Sequence, residues 1–309
     1  ILYSEIRPAN KRFAFVDMED TQNYIASTKL MVIRANPEIV MPEYLFIFLQ
    51  TPAVIEELQL LAETRSGTFP QITFSTEIAS LNISLPDKET QSRIVQIFCS
   101  FDDKIKLNNK INENLEQQVY ALFESWFVSF DKTEGMIPND WNQGTLKEIA
   151  SITSGKRPPM KQAFSTAEIK TPLVGAASIM GYTNAVLYNE PILVTGRVGT
   201  HGVVQRFQTP CWASDNTLVI KSNFYEYTYQ VLRRIDYANM NRGSTQPLIT
   251  QTDLKNASII LPPESILFEF EKIAGNLMAK HTANRKENER LIALRNILLP
   301  KLLSGEIHV

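Results

Sequence analysis

The sequence predicts an α+β protein built from two mixed α/β units, each followed by a long helix. Two observations carry this prediction. A stretch in the first half of the chain is repeated near its end, and each copy finishes with apolar residues at helical spacing. The length of 309 residues allows two cores, because domains cluster at roughly 100–150 residues.

The repeat relates residues 67–127 to residues 243–303. Leu85-Pro86 in the first copy corresponds to Leu261-Pro262 in the second, and a long helical stretch follows each pair. Matched residues inside the two helical stretches, most of them polar, strengthen the correspondence. They are Asn108, Lys110, Asn112, Glu113 and Leu115 in the first copy, and Asn284, Lys286, Asn288, Glu289 and Leu291 in the second.

Further upstream the repeat is looser. Residues 1–4 resemble 192–195, and residues 26–33 resemble 213–220. The first copy therefore lacks a counterpart of about 136–191, and we expect the chain to begin partway through its first unit.

Short apolar or alternating runs bounded by turn residues predict strands in both units. These runs are 30–33, 81–85, 185–188, 217–220 and 258–261. Residues 44–61 and 227–237 have the pattern of short helices packed on the strands. Glycine and proline predict connecting loops at 155–159 and 196–202.

Each long helix carries the seam of a coiled coil, with steps alternating between four and three residues. The first seam comprises Phe101, Ile105, Asn108, Asn112, Leu115, Val119, Leu122 and Trp126. The second comprises Leu277, His281, Asn284, Asn288, Leu291, Arg295, Leu298 and Leu302. A seam asparagine penalises registers in which it meets leucine, so the matched pairs predict a defined alignment. The alternative is two unrelated amphipathic helices, each lying on its own unit.

Charge limits the kind of partner. The net charge of −2 argues against non-specific coating of DNA, which requires many cations to neutralise phosphates. Residues 151–206 are nevertheless basic, which indicates either a binding face or a solvated surface. The cations there are Lys156, Arg157, Lys161, Lys170, Arg197 and Arg206, against the acids Glu168 and Glu190.

Cysteine usage and hydropathy indicate the compartment. Cys99 and Cys211 form no metal-binding or disulfide pattern, which is typical of a reducing cytoplasm. No run of about 18 apolar residues predicts a membrane span.

Several strings, in this order on a duplicated frame, resemble the specificity subunits of type I restriction-modification systems. Residues 137–141, 145–150 and 154–159 are similar to the opening of a target-recognition domain, 193–202 to its glycine-bearing turn, and 298–307 to the family's C-terminal ending. The resemblance covers essentially the whole chain and departs from the family in the first half of the first recognition domain. It implies a partial target-recognition domain at 1–85, a central helical spacer at 86–131, a second target-recognition domain at 132–261 and a C-terminal helical spacer at 262–309.

The resemblance implies a non-catalytic subunit of an endonuclease complex that recognises DNA. Each recognition domain would read one half of a bipartite site in double-stranded DNA, and the two long helices would pack antiparallel and set the gap. Two modification subunits would hold S-adenosylmethionine and methylate adenine. Restriction subunits using ATP and Mg would join them. No cofactor and no metal is expected in this chain.

Base reading and phosphate binding favour particular side chains at loops. In the second domain the candidates are Lys156, Arg157, Arg197, Thr200 and His201. In the first domain they are Ser4, Arg7, Lys11 and Arg12. The packing residues expected in the spacer are Asn108, Asn112, Leu115, Asn284, Asn288 and Leu291. For Arg197 and His201 the alternative is that the glycines around them only form a tight strand connection.

Two other functions remain as alternatives. One is a coiled-coil scaffold whose globular parts bind proteins. The other is a self-contained DNA methyltransferase or nuclease. Against an enzyme, Gly196, Gly199 and Gly202 do not have the spacing of a phosphate-binding loop, and the three histidines do not have metal-ligand spacing.

Overall fold

The structure is a computed structural model that describes residues 1–18, 24–65, 69–240 and 248–309. The chain forms two compact units, one made of residues 1–112 and 282–309 and the other of residues 113–281. The start of each sequence repeat, at Gly67 and Gly243, lies outside the described residues.

The first unit is built on a small antiparallel sheet. Strand β1 (Leu2–Ser4) lies between β2 (Phe13–Ala14) and β3 (Leu30–Val32), with Leu2 opposite Val32 and Tyr3 opposite Phe13. Helices α1 (Pro42–Leu49) and α2 (Pro52–Arg65) and a π-helical turn (Phe74–Ile78) follow. Tyr3 and Leu58 are fully buried in the core between the sheet and α2.

Two sequence predictions in this unit are wrong in detail. The single helix expected at 44–61 is two helices, because the chain turns at Gln50 and Thr51 and Pro52 starts a new helix. The strand expected at 81–85 is absent, and no strand pairs with this segment in the described part of the unit. An apolar run becomes a strand only when it has a partner for its backbone groups.

The described residues of the second unit form three small sheets. Strands β5 (Ala150–Ser154), β8 (Ile192–Gly196), β9 (Gln205–Phe207) and β11 (Thr217–Ser222) form an antiparallel sheet in the order β5-β11-β8-β9. Strands β6 (Thr171–Val174), β7 (Ile179–Thr183) and β10 (Trp212–Ala213) form the second sheet. Strand β4 (Asn142–Thr145) pairs with β12 (Ser258–Leu261).

Strands β11 and β12 lie where the sequence predicts them, but 185–188 does not form a strand. Only an isolated bridge joins Tyr188 to Cys211 there. The helix expected at 227–237 is α4 (Tyr225–Arg234), followed by the short α5 (Tyr237–Met240) and, further along the chain, α6 (Gln251–Lys255). Thr250 caps α6 by accepting the backbone N–H of Asp253.

The two long helices are α3 (Lys88–Phe127) and α7 (Glu264–Leu303). Within the first unit they run antiparallel, because Asp102, Asn108 and Asn112 of α3 contact Arg295, Asn288 and Asn284 of α7 in that order. In the second unit Glu116 and Trp126 of α3 contact His281 and Phe270 of α7 in that order, so the direction is the same.

Asparagines fill the centre of the helix pair in the first unit. The Asn108 amide donates to Asn288 Oδ1 at 2.8 Å, and the Asn284 amide donates to Asn112 Oδ1 at 2.9 Å. All four side chains are at least nine-tenths buried. Leu115, also predicted at the seam, is buried in the second unit, while Leu291 in the first is half-buried.

The α+β class with two mixed units and two long helices is confirmed. The linear domain boundaries stay a prediction. Both helices lie inside the ranges expected for the spacers, and each compact unit includes part of both.

Candidate DNA interface

The glycine-bearing turn after β8 is shaped by close backbone contacts. A Cβ on Gly196 would lie 1.8 Å from the carbonyl oxygen of Thr200, so no side chain fits at that position. Gly199 and Gly202 have φ of 84° and 80°, a region that glycine enters without strain. The turn therefore folds back on the end of β8, with Thr200 exposed and Arg197 half-buried.

His201 faces inward from this turn. Its Nδ1 lies 3.3 Å from the carbonyl oxygen of Gly196, and its Nε2 is buried with no hydrogen-bond partner among the described residues. A ring held in this way stabilises the turn, and its buried nitrogen is not presented at the surface.

The loop after β5 approaches the same end of the sheet. A Cβ on Gly155 would lie 2.1 Å from the carbonyl oxygen of Ser214, so glycine is needed for the close approach. The Lys156 N–H donates to the Ala213 carbonyl at 2.9 Å, and the Trp212 indole N–H donates to the Lys156 carbonyl at 2.7 Å. With its backbone fixed, this loop exposes the Lys156 and Arg157 side chains.

The turn between β10 and β11 holds both loops together. Its Asn216 carbonyl accepts the N–H of Arg197 at 2.9 Å. The Ala213 carbonyl, at the start of the turn, accepts the N–H of Lys156. The ends of β5 and β8 and the start of β11 lie at one edge of the sheet, because Leu218 pairs with both Ser154 and Thr195. The structure thus brings Lys156, Arg157 and Arg197 to one edge, which we call the cationic edge.

A cavity of about 460 Å³ opens beside the cationic edge. Its lining includes Arg157, Lys161, Ser214, Asp215 and Asn216. The larger concavity of the same unit, about 1080 Å³, is lined by residues such as Lys147 and Asn223 from the opposite end of β5 and β11. None of the candidate side chains lines that larger cavity.

The candidates in the first unit cluster on the connection between β1 and β2. Arg7 and Lys11 flank a one-turn helix at Pro8–Asn10, and both adopt left-handed backbone conformations, with φ of 47° and 52°. The Arg7, Lys11 and Arg12 side chains are exposed. Ser4 is buried, and its hydroxyl accepts the N–H of Ile6 at 3.2 Å, so its oxygen is occupied within the turn.

A buried charged cluster supports the sheet of the second unit at β9. Arg206 pairs with Glu226 on α4, and Glu271 on α7 accepts the backbone N–H groups of Glu226 and Tyr227 at 3.1 and 2.7 Å. Burial raises the pKa of the Glu271 carboxyl to about 7, despite those two hydrogen bonds. Burial also raises the pKa of Glu226, against the opposing effect of the Arg206 charge.

Sequence reasoning does not select Lys161 or the Asp215-Asn216 turn as site residues, although Lys161 is one of the cations in 151–206. A signal was present, since polar turn residues stand directly before the strand run at 217–220.

Within the described ranges, no three His, Cys, Asp or Glu side chains come together as a group that could hold a metal ion. In the same ranges no single helix is long and apolar enough to cross a membrane, while the bent pair α1 and α2 passes the length and composition test when taken together.

Cations on loops with hydrogen-bonded backbones, presented by a duplicated α+β frame, are typical of a DNA-binding class of protein. The family described as the type I restriction modification DNA specificity domain matches residues 9–117 and 138–291. The chain belongs to this family and is the DNA-recognition subunit of a type I restriction-modification system.

Named relatives agree with this assignment. The HindI specificity subunit of Haemophilus influenzae is 30% identical, over 99% of this chain and 86% of the relative. The MjaIX specificity subunit of Methanocaldococcus jannaschii is 27% identical, over 87% of this chain and 70% of the relative.

Solved structures show the same fold. The type I S subunit from M. genitalium matches with a TM-score of 0.52 and 18% identity, over 87% of this chain and 74% of that one. A chain from a study of complex assembly and conformational transition in the type I R-M system matches with a TM-score of 0.50 and 20% identity, over 99% of this chain and 82% of that one.

Proposed function

We propose that each unit of this chain reads one half of a bipartite DNA site and that the paired helices set the gap between the halves. The cationic edge carries the proposal. The edge combines the adjacent Lys156 and Arg157 with Arg197 from a distant part of the sequence. The hydrogen bonds of one turn hold the two loops that carry them together. Cations on a fixed backbone bind phosphates and set the register of a reader on the duplex.

The helix pair supports the proposed spacing. Buried asparagines that bond to each other across α3 and α7 disfavour any shift that places an amide against an apolar side chain. One register then gives one gap length. The first unit would use Arg7, Lys11 and Arg12 in the same way as the cationic edge, with Ser4 shaping their turn.

We further propose that the chain performs no covalent chemistry itself. Two modification subunits with S-adenosylmethionine would methylate adenine, and restriction subunits using ATP and Mg would translocate and cleave the DNA. The names of the relatives, each a specificity subunit of a type I restriction enzyme, support such an assembly. The thiols of Cys99 and Cys211 are unpaired in the structure, which is compatible with a reducing cytoplasm, the compartment we propose.

A salt titration with matched lysines tests the cationic edge. Lys156 follows β5 and Lys147 precedes it, so the two exposed lysines lie at opposite ends of one strand. In the complex assembled with modification subunits, Lys156→Ala should weaken binding to all DNA sequences alike and reduce the slope of log affinity against log salt by about 1. Lys147→Ala should leave the slope unchanged.

The alternatives predict different results. Equal slopes for Lys156→Ala and the parent complex, together with no preference for any sequence over random DNA, would favour a protein-binding scaffold. Methyl transfer or cleavage by the isolated chain would favour an enzyme.

A further inference from the structure

The turn between β10 and β11 presents two side chains that the cationic edge does not need for phosphate binding. Asp215 and Asn216 are both exposed, and no hydrogen bond within the described residues ties down either side chain. They lie between the Gly155–Arg157 loop and Arg197, at the centre of the edge. Their position gives them access to whatever the surrounding cations bind.

The backbone of this turn is held on three sides. The Ser214 N–H donates to the Val174 carbonyl at 3.0 Å, the Thr217 N–H donates to the Ser214 carbonyl at 3.1 Å, and the Asn216 carbonyl accepts from Arg197. A fixed backbone with free side-chain ends is what a reader of base edges requires, since little ordering remains to be done on binding.

The negative charge of Asp215 distinguishes base reading from phosphate binding at this turn. A carboxylate among cations that hold phosphates is repelled by those phosphates, so Asp215 would weaken a surface that bound only the DNA backbone. A carboxylate does, however, accept a hydrogen bond from the amino group of cytosine in the major groove. The Asn216 amide can both donate and accept, as the N7 and amino group of adenine require.

The cavity at the edge adds a concave surface. Asp215 and Asn216 line it together with Arg157 and Lys161, and the buried hydroxyl of Ser214 has no hydrogen-bond partner in the described part of the chain. Cationic and polar side chains therefore share one depression in the second unit.

We propose that Asn216 reads an adenine and Asp215 a cytosine in the half-site bound by the second unit. This inference rests on the proposed function, because it assumes that the cationic edge holds DNA. It assigns sequence discrimination to the turn, and it assigns Lys156, Arg157 and Arg197 to the phosphates.

A selection experiment tests the assignment. The complex assembled with modification subunits is bound to DNA in which the half-site is randomised, and the bound fraction is sequenced. Asn216→Ala should lower the preference for adenine at one position by roughly 5- to 100-fold, the range expected for a bidentate contact, with affinity for random DNA retained. Asp215→Ala should relax one cytosine position in the same way.

Two further variants keep the result interpretable. Asn216→Asp preserves side-chain size and turn preference but removes the amide donor, so it should also lose the adenine preference. Asn223→Ala is the matched control, because Asn223 is exposed at the opposite end of β11, and it should leave the selected sequence unchanged.

An unchanged selected sequence for both Asn216 variants overturns the inference. The proposed function survives that result if Lys156→Ala still reduces the salt slope, and it fails if neither change has an effect. The two failures are therefore distinguishable in the same preparations.

Discussion

Two glycines allow close backbone contacts at the candidate interface. Gly155 lies against the Ser214 carbonyl, and Gly196 lies against the Thr200 carbonyl, with no room for a Cβ at either position. In each case the neighbouring atom is a backbone oxygen, which cannot move away as a flexible side chain can. The placement of Lys156 and Arg197 at one edge therefore depends on residues that carry no charge.

The glycine requirement can be tested with a matched pair of substitutions. Gly155→Ala should lower the melting temperature and weaken DNA binding, since the loop must shift to accommodate the methyl group. Gly275→Ala, within α7 where nothing lies within 4 Å of the added Cβ, should stabilise the protein by about 0.5–1 kcal/mol because alanine favours helix. Thermal unfolding and binding measured side by side give both results, and wild-type DNA affinity in Gly155→Ala would contradict this account of the edge.

Glu271 makes the stability of the second unit depend on pH. Burial raises its folded-state pKa from 4.5 to about 7, so the folded state holds a proton that the unfolded chain has lost over that interval. Stability should fall as pH rises from 4.5 to 7 and change little above it. Glu226 acts in the same direction, because burial also raises its pKa.

Glu271→Gln should flatten this dependence. The fall in unfolding free energy between pH 4.5 and 7 should shrink by up to about 3 kcal/mol, because an amide has no proton to lose. Glu269→Gln, an exposed neighbour on the same helix, is the control. Denaturant unfolding at a series of pH values measures the effect. A slope in Glu271→Gln as steep as in the parent protein would refute the assignment to this carboxyl.

At the scale of elements, the asparagines between α3 and α7 define the register of the helix pair and lower its stability relative to an apolar seam. The buried amide of Asn108 donates to both Asn288 and Glu287, and Asn288 in turn donates to Asn109. Removing one partner leaves a polar group without its bond, whereas removing both replaces the polar pair with an apolar contact. The single substitution should lower the free energy of unfolding, and the second substitution should raise it again.

A double-mutant cycle tests the pairing of Asn108 with Asn288. Asn288→Leu alone should destabilise the first unit by about 1–3 kcal/mol, since the Asn108 amide loses a partner in a buried place. Adding Asn108→Leu should recover most of that loss or exceed the parent stability. Denaturant unfolding midpoints of the four proteins measure the coupling. A double variant that is less stable than either single one would contradict a pairwise role.

The strands show what local sequence can and cannot predict. Residues 258–261 and 81–85 have similar apolar runs at equivalent repeat positions, yet only the former is a strand, because β12 has β4 as its partner. Pro52 likewise divides a continuous apolar pattern into two helices. An apolar pattern identifies a segment that can be buried. Whether the segment becomes a strand depends on a second strand that completes its backbone hydrogen bonds and lies elsewhere in the sequence.

For the whole molecule, the duplicated plan and the helix seams could be predicted because they rest on periodicity and composition along the chain. The matched asparagines marked the register directly, since a polar residue in a seam is informative without a structure. The cationic edge could be predicted only in part. Lys156 and Arg197 stood out beside glycines, but their hydrogen bonds to the Ala213 and Asn216 carbonyls of one turn depend on strand order, which no local pattern reveals.

The proposed function of the whole molecule is to specify one DNA site with two recognition units while partner subunits perform the chemistry. Single-molecule sequencing for methylated adenine, in cells carrying the complete system, measures this most directly. We predict a motif of two specified segments separated by a constant number of unspecified bases, with Asn216→Ala relaxing one segment only. A single uninterrupted motif, or methylation that does not depend on this chain, would contradict the account.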